Sequence, residues 1–341
     1  MVSNQNISNF PRVLCFGEAL IDRLGSIGED HFRNSQDYFG GAPANVACGL
    51  ARLGIEVAFL GKLGDDKIGN SFKELMFNRG INVDCLEIDK LLPSRVVLVR
   101  RDLSGERFFE GFSGNQGSGF ADEAISLNLI SRYWPSLIRE ATWLLIGTIP
   151  FAFKESSETL KWCIKNSNFK GIKIALDVNW RAVFWNAQVN PNKGPTVMEK
   201  ESIRPLLEAA SLIKLSKEEA IWFFNTNDPS SISDALPNRP DIVVTDGPNQ
   251  ILWFLEGVNG KTNPLNSISV VDTTGAGDAF TSGLLFKLLD QSKSLHSTEE
   301  ELNEIILFAA ACGSIVCSAP GAIDSQPQRN QVEDFLKEIG G

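Results

Sequence analysis

Histidine is scarce in this chain, and its cysteines are scattered. Only two histidines occur, so neither a His-based catalytic triad nor a multi-histidine metal centre is expected, and acid–base chemistry falls to carboxylates. The six cysteines never form a C-x-x-C pair and mostly lie in apolar stretches, which indicates neither a zinc site nor a disulfide framework. We therefore expect a protein of the reducing cytoplasm.

Long apolar runs and excess positive charge are also missing. No run of apolar residues approaches the length of a membrane span. The net charge of −10 argues against a nucleic-acid-binding surface and against contact with an anionic membrane. Residues 1–9 are polar and uncharged, without the basic and then apolar order of a signal peptide, and we expect a frayed tail there.

The alternation of apolar runs and helical stretches indicates an α/β fold. An early apolar strand is followed much later by four more, at Val13–Phe16, Trp143–Ile146, Ile172–Leu176, Leu212–Leu215 and Ile242–Thr245. This alternation predicts a mostly parallel sheet flanked by helices. The two-sided polar strands at 94–101 and 107–112 predict a small sheet, inserted into a single large domain over residues 10–341.

Asp272–Phe280 is the most informative segment. Gly275-Ala276-Gly277 lies between a predicted apolar strand (Ile268, Val270 and Val271) and an apolar helical run, so bare N–H groups stand at a helix N-terminus, where an anion is favoured. Asp278 follows in the same turn, where it can take a proton from an acceptor hydroxyl. A tight turn with a capping aspartate explains this segment, taken alone, equally well.

Other polar residues stand where predicted strands end or helices begin. Gly40-Gly41-Ala42-Pro43-Ala44-Asn45 opens a helix, and both the Asn45 amide and the Asp22 carboxylate can hydrogen-bond neutral hydroxyls. For each of these residues, the alternative is a purely structural turn or a solvated loop. Further candidates follow the later strands, where the ligand crevice of a parallel sheet lies, and these are Asn179, Arg181, Ser216, Glu219, Thr245 and Gly247.

Two common nucleotide motifs do not fit the sequence. Gly61-Lys62 lacks the upstream glycine and the following Ser or Thr of a Walker phosphate loop. The late glycine turn has Phe280 in place of the third glycine of a dinucleotide fingerprint, which disfavours a nicotinamide dehydrogenase.

Taken together, these segments resemble the PfkB family of carbohydrate kinases, which have a ribokinase-like fold. The similarity is strongest to the fructokinases of that family, and the segments that carry it are Gly17–Asp22, Gly40–Ala47, Gly61–Asp66 and Asp272–Phe280. Two distant signatures in the right order and at matched spacing make coincidence a poor explanation. The resemblance covers nearly the full chain, from about Val13 to Leu336.

The resemblance implies an ATP-dependent sugar kinase in which Asp278 is the catalytic base and the amides of Gly275, Ala276 and Gly277 form the anion hole. The residues implied for the sugar are Asp22, Gly40, Gly41, Asn45, Asn179 and Arg181. The residues implied for the nucleotide are Ser216, Glu219, Thr245, Gly247, Gly275, Gly277 and Ala310. Glu219 would support Mg²⁺ through water, and Asp272 and Thr274 would bind a monovalent cation such as K⁺.

The resemblance also implies that the strands at about 22–39 and 93–113 form a lid over the sugar and join two copies into a homodimer. Fructose is the expected acceptor, but Phe112–Gly117 lacks the arginine that many fructokinases have there. A kinase for 2-keto-3-deoxygluconate, ribose or a nucleoside is therefore an alternative, and an acid sugar would need Arg95, Arg107 or Arg181. A catalytically idle family member that acts as an interaction protein is a rival of a different class.

Overall fold

The computed structural model describes residues 10–28, 32, 34–103, 107–114, 117–265, 269–290 and 297–340. The predicted tail at 1–9 and residues 104–106, between two predicted strands of the small sheet, lie outside these described residues. The strands are β1 Val13–Phe16, β2 Leu20–Ile27, β3 Gln36–Gly40, β4 Val57–Gly64, β5 Leu86–Asp89, β6 Val96–Arg101, β7 Arg107–Phe112, β8 Trp143–Ile146, β9 Lys173–Asp177, β10 Leu212–Ser216, β11 Asp241–Thr245, β12 Ile251–Leu255 and β13 Val258–Thr262.

The helices begin and end at well-defined signals. Thr298 and Ser216 each form a capping box with the glutamate three residues later, and these two boxes start α10 and α7. The helices are α1 Ala42–Arg52, α2 Lys67–Asn78, α3 Leu127–Leu137, α4 Lys154–Phe169, α5 Ala182–Trp185, α6 Val197–Ala209, α7 Lys217–Phe224, α8 Pro229–Asp234, α9 Ala276–Asp290, α10 Glu299–Val316 and α11 Arg329–Gly340.

A nine-stranded sheet forms the centre of the molecule. Its order is β13-β12-β11-β10-β9-β8-β1-β4-β5. The pairs from β11 through β8 and β1 to β5 are parallel, and only β12 and β13 join in antiparallel fashion. The carboxyl ends of the parallel strands therefore meet along one edge, which is where ligands bind in such sheets. The predicted mostly parallel sheet is confirmed.

Both faces of the large sheet are buried. The packing of β1 explains why this strand is apolar at every position. Val13 and Cys15 pack into one core cluster with residues of α1, α9 and α10, whereas Leu14 and Phe16 pack into a second with residues of α3, α4 and α6. Because successive side chains of a strand point to opposite faces, a strand covered on both sides has no side chain that faces solvent, which favours apolar residues throughout. No described helix is long and apolar enough to cross a membrane.

A second sheet, called the small sheet here, has four strands in the order β3-β2-β6-β7. β2 pairs with β3 and β6 with β7 in antiparallel fashion, and β2 and β6 run parallel. Its strands come from the two segments expected to form a lid, although β2 begins at Leu20 and β3 ends at Gly40. That this sheet acts as a lid within a single domain stays a prediction.

One local prediction was wrong. Val270 and Val271 belong to no strand, and their side chains are 64% and 62% exposed, so β-branched residues did not make this segment a strand without a neighbouring strand to pair with. Elsewhere, Pro229 opens α8 at the first helical position after the Asp228 cap.

Candidate active site

A cleft of about 620 Å³ opens at the carboxyl edge of the large sheet, between the first turn of α9 and the small sheet. It brings together segments from both ends of the chain. The predicted site residues that line it are Asp22, Gly41, Asn45, Asn179, Arg181, Ser216, Glu219, Thr245, Thr274, Gly275, Gly277 and Asp278. The two glycine motifs recognised in the sequence thus face the same space.

The other predicted site residues are absent from this lining. Gly40 lies behind Asp22, because a Cβ placed at Gly40 would sit 2.6 Å from the Asp22 carboxylate. Ala310 is buried within α10, which packs closely on α9. Gly247 is exposed just beyond β11 and has a φ of 52°. Asp272 is buried beneath the turn, and Ala276 stands at the start of α9.

Asp278 lies in the first turn of α9, half-buried in the cleft wall. The Asn45 side-chain amide of α1 donates a hydrogen bond to its Oδ2 at 2.7 Å. Burial raises the pKa of Asp278 to about 6, and the negative charge of Asp177 adds to this rise, whereas the Asn45 hydrogen bond and the cations Lys214 and Arg181 oppose it. An acid held near neutrality in this way suits a general base.

The turn before Asp278 requires glycine at its first position. Gly275 has a φ of +78°, and a Cβ there would lie 2.4 Å from the Ala322 side chain. The Ala276 N–H donates to the Thr273 carbonyl at 3.2 Å, so part of its donor capacity is used within the turn. Gly275 and Gly277 line the cleft, and they fit an anion hole better than Ala276 does.

Asn45 and Asp22 lie at the end of the cleft beside the small sheet. Asn45 is 4% exposed, and its side-chain oxygen has no hydrogen-bond partner within the described residues. Gln326 fixes the backbone of Asn45 by donating to its carbonyl oxygen at 2.7 Å. Asp22 stands in β2, opposite Tyr38 on one side and Val97 on the other. A buried acceptor left open at a cleft is a place for a hydroxyl donor from a ligand.

Glu219 joins the segment after β9 to the start of α7. One of its oxygens accepts from the Trp180 N–H at 2.6 Å, and the other accepts from the Ser216 N–H at 2.7 Å in the capping box of α7. Burial raises the pKa of Glu219, and the charge of Lys214 opposes that rise. The carboxylate is thus held in place by backbone donors while its residue still lines the cleft.

Asn179 and Arg181 follow β9, as the sequence predicted. Asn179 has a φ of 39°, an uncommon value outside glycine that asparagine tolerates better than most residues. Arg181 is exposed and lines the cleft, and its guanidinium donates to the Trp180 carbonyl at 3.0 Å. Ser216 and Thr245 are register partners at the ends of β10 and β11, so both reach the same edge.

Asp272 stabilises the turn from below. One oxygen accepts from both the N–H and the hydroxyl of Thr274, at 2.9 and 2.7 Å, and the other accepts from the Gly321 N–H at 3.0 Å. These contacts tie the glycine turn to the loop before α11. No cluster of three or more metal-ligating side chains occurs among residues that the structure describes.

Two ionisable cleft residues, Glu18 and Lys214, were not predicted from the sequence as site residues. Glu18 follows β1, is 3% exposed, and accepts from the Ala42 N–H at 3.1 Å, while its Oε2 has no partner in the described part of the chain. Burial raises the pKa of Glu18 to about 8. Lys214 stands within the otherwise apolar strand β10. A lysine inside an apolar run is a signal in the sequence, whereas nothing local to Glu18 marks its burial.

The wall of the cleft beside the small sheet is apolar. It is formed by Leu20, Val97, Val99, Phe109, Ile149, Val183 and Phe184. Arg95, one candidate cation for an acid sugar, is 1% exposed and makes a bidentate pair with Asp122, so it does not reach the cleft. The side chain of Arg107 lies outside the described residues.

Known proteins resemble this chain along nearly its whole length. The family described as pfkB family carbohydrate kinase matches residues 11–329. A probable fructokinase-7 of Arabidopsis thaliana is 31% identical over 332 residues, covering 95% of this chain and 92% of that relative.

Solved structures resemble it as well. A Vibrio cholerae fructokinase in its fructose-, ADP- and calcium-bound form has a TM-score of 0.77 at 25% identity, covering 96% of this chain and 99% of that one. A Salmonella enterica aminoimidazole riboside kinase, complexed with aminoimidazole riboside and an ATP analogue, has a TM-score of 0.74 at 26% identity, covering 95% and 99%. With its ribokinase-like fold, the chain belongs to the pfkB family of carbohydrate kinases.

Proposed function

We propose that this carbohydrate kinase transfers the γ-phosphoryl group of ATP to a primary hydroxyl of an uncharged sugar, with fructose as the first candidate. The observation that carries this proposal is the Asp278 carboxylate, which is held by Asn45 and stands beside the Gly275–Gly277 turn within one cleft. Proton abstraction is favoured by the raised pKa of Asp278, and phosphoryl transfer requires an anion site next to the base.

In the proposed reaction, Asp278 takes the proton of the acceptor hydroxyl. The oxygen of that hydroxyl forms a bond to the γ-phosphorus as the bond from this phosphorus to the bridging oxygen of ADP breaks. The products are the sugar phosphate, ADP and the proton held by Asp278. Positioning and charge stabilisation supply most of the catalysis in such transfers, and the Gly275 and Gly277 amides would stabilise the charge that develops on the transferred group.

A bound Mg²⁺ would neutralise charge on the β- and γ-phosphates. The carboxylate of Glu219 fits a supporting role through water, because Mg²⁺ takes oxygen ligands and keeps several of its waters in kinase sites. Asp272 and Thr274 stay candidates for a monovalent cation. Since Thr274 and Gly321 already donate to Asp272, we infer that any K⁺ effect is exerted by shaping the turn.

The charge of the acceptor is argued from the cleft wall. Its small-sheet end combines an apolar wall with the Asp22 carboxylate, so a carboxylate or phosphate on the acceptor would meet repulsion there. The described cations of the lining, Lys214 and Arg181, belong to or follow strands of the large sheet. This disfavours 2-keto-3-deoxygluconate. The flat face of an aromatic base attached to a sugar fits the same wall, and a riboside is therefore the second candidate, in line with the aminoimidazole riboside bound by the Salmonella enzyme.

The proposal is tested by an acceptor panel with ATP and Mg²⁺, with and without K⁺. We expect fructose to give the largest kcat/KM, a riboside to be the closest competitor, and 2-keto-3-deoxygluconate to give no turnover. Phosphorylation of no acceptor, with ATP bound, would favour the idle interaction protein. The inferred homodimer through the small sheet is checked separately by sedimentation equilibrium, where a monomer at micromolar concentration contradicts it.

A further inference from the structure

Lys214 is a buried cation at the end of the cleft beside the first turn of α9. It is 9% exposed, its neighbours on β10 are Ile213 and Leu215, and it lines the cleft. Burying an ammonium group is costly unless strong partners compensate for the lost water. A lysine at this position of an apolar strand therefore needs a specific reason.

The ammonium group stands beside the glycine turn. A Cβ placed at Gly277 would lie 3.0 Å from the Nζ of Lys214. Gly277 belongs to the first turn of α9, and the N-terminus of a helix already carries a partial positive charge. The Lys214 ammonium and the N-terminus of α9 repel each other unless an anion lies between them. A phosphate group would complete such a site.

Acidic groups surround Lys214 in the free protein. Each Asp177 oxygen accepts from its Nζ at 3.2 Å, and Asp177 Oδ2 also accepts from the Thr281 hydroxyl at 2.7 Å. Burial lowers the pKa of Lys214, but the charges of Asp177, Glu219 and Asp278 more than offset this, so the pKa is raised and the group is charged. At 3.2 Å the Asp177 contacts are long for charge-assisted hydrogen bonds, and an ammonium has three donors.

We propose that Lys214 binds the phosphoryl group being transferred, together with the amides of the Gly275–Gly277 turn. This inference rests on the proposed kinase function and adds a residue to its machinery. Asp177, anchored to α9 through Thr281, holds the Lys214 ammonium at the turn before the nucleotide arrives. The alternative is a purely structural role, in which Lys214 serves only as the counter-ion of buried Asp177.

The two roles differ in what they do to ATP relative to ADP, because only ATP carries the γ-phosphoryl group. In Lys214→Met we expect the affinity for ATP to fall about tenfold or more while the affinity for ADP changes less than twofold, and kcat to fall by about 10²-fold. Isothermal titration with each nucleotide and steady-state kinetics measure these quantities. Lys173→Met, an exposed lysine on the neighbouring strand β9, is the matched control.

A second comparison guards against a variant that fails to fold. In the Asp177→Asn variant, Lys214 has lost its carboxylate partner. Adding Lys214→Met to this variant therefore removes the ammonium group without leaving a buried carboxylate unpaired. We expect Asp177→Asn to keep the preference for ATP over ADP and the double variant to lose it. Equal losses for ATP and ADP in Lys214→Met, or loss of the preference in Asp177→Asn alone, would overturn the proposal. Wild-type protein that binds ATP but phosphorylates no acceptor rejects the kinase function while this comparison of affinities stays readable.

Discussion

The two ends of the cleft differ in the kind of side chain that lines them, which is charged at one end and mostly apolar at the other. At the end formed by α9 and the large sheet, Lys214 pairs with Asp177 on the neighbouring strand, and the charges of Glu219 and Asp278 act on the same ammonium group. At the end formed by the small sheet, apolar side chains surround Asp22. The first end is specialised for charge and the second for shape, which fits chemistry common to all phosphoryl transfers at one end and acceptor choice at the other.

Among tests of this difference between the two ends, the largest expected loss of activity comes from substitution in the glycine turn. Gly275→Ala forces a side chain into a φ of +78° and against Ala322, so the amides lose their direction. We expect kcat/KM to fall about 10²-fold or more. Gly80→Ala is the matched control, because its φ of +74° is similar and open space surrounds it. That variant should lose about 1 kcal/mol of stability and keep its activity; equal activity losses in both would remove the turn from catalysis.

A smaller and different effect is expected at the acceptor end. Phe109 lines the cleft from β7, so Phe109→Ala should raise the KM for the acceptor about tenfold, with kcat and ATP affinity little changed. Phe108→Ala is the control, because Phe108 lies against Arg100 and neighbouring strand residues point to opposite faces. Initial-rate kinetics with each substrate varied would separate the two ends. A change in ATP affinity with no change in acceptor KM would contradict the division.

The smallest effect concerns stability at the base of the cleft. Burial raises the pKa of Glu18 from 4.5 to about 8, so the folded protein keeps a proton that the unfolded chain releases. The corresponding stabilisation is complete below pH 4.5 and is lost as the pH rises to about 8. Relative to Glu18→Gln, the wild type should therefore lose a few kcal/mol over this window. Denaturant unfolding at several pH values measures it, with the exposed Glu158→Gln as control, and a pH-independent difference would refute it.

Local backbone chemistry was what the sequence predicted well. The glycine turn before α9 and the helix opened by Gly41 and Pro43 follow from conformational rules that a few adjacent residues satisfy. The strand expected at Val270 and Val271 failed because apolar β-branched residues need a pairing partner, which depends on tertiary structure.

Contacts between distant segments were what the sequence could not reveal. Glu18 is buried because Ala42 lies against it, and Lys214 has its charge balanced by Asp177, a residue on another strand. The apolar wall likewise combines residues of the small sheet with Ile149 and Phe184 from the main body. The family resemblance supplied the candidate reacting groups, whereas the packing that tunes their charge depends on side chains specific to this fold and chain.

The pH dependence of kcat/KM for wild type and Asp278→Asn tests the account most directly. Because Asp278 must be ionised to accept the hydroxyl proton, kcat/KM of the wild type should fall as the pH drops below about 6, with the slope of one proton. Asp278→Asn should lose roughly 10²–10⁴-fold at neutral pH and should lack this acidic limb. An asparagine variant within tenfold of wild type, or one that keeps the same limb, would contradict Asp278 as the base.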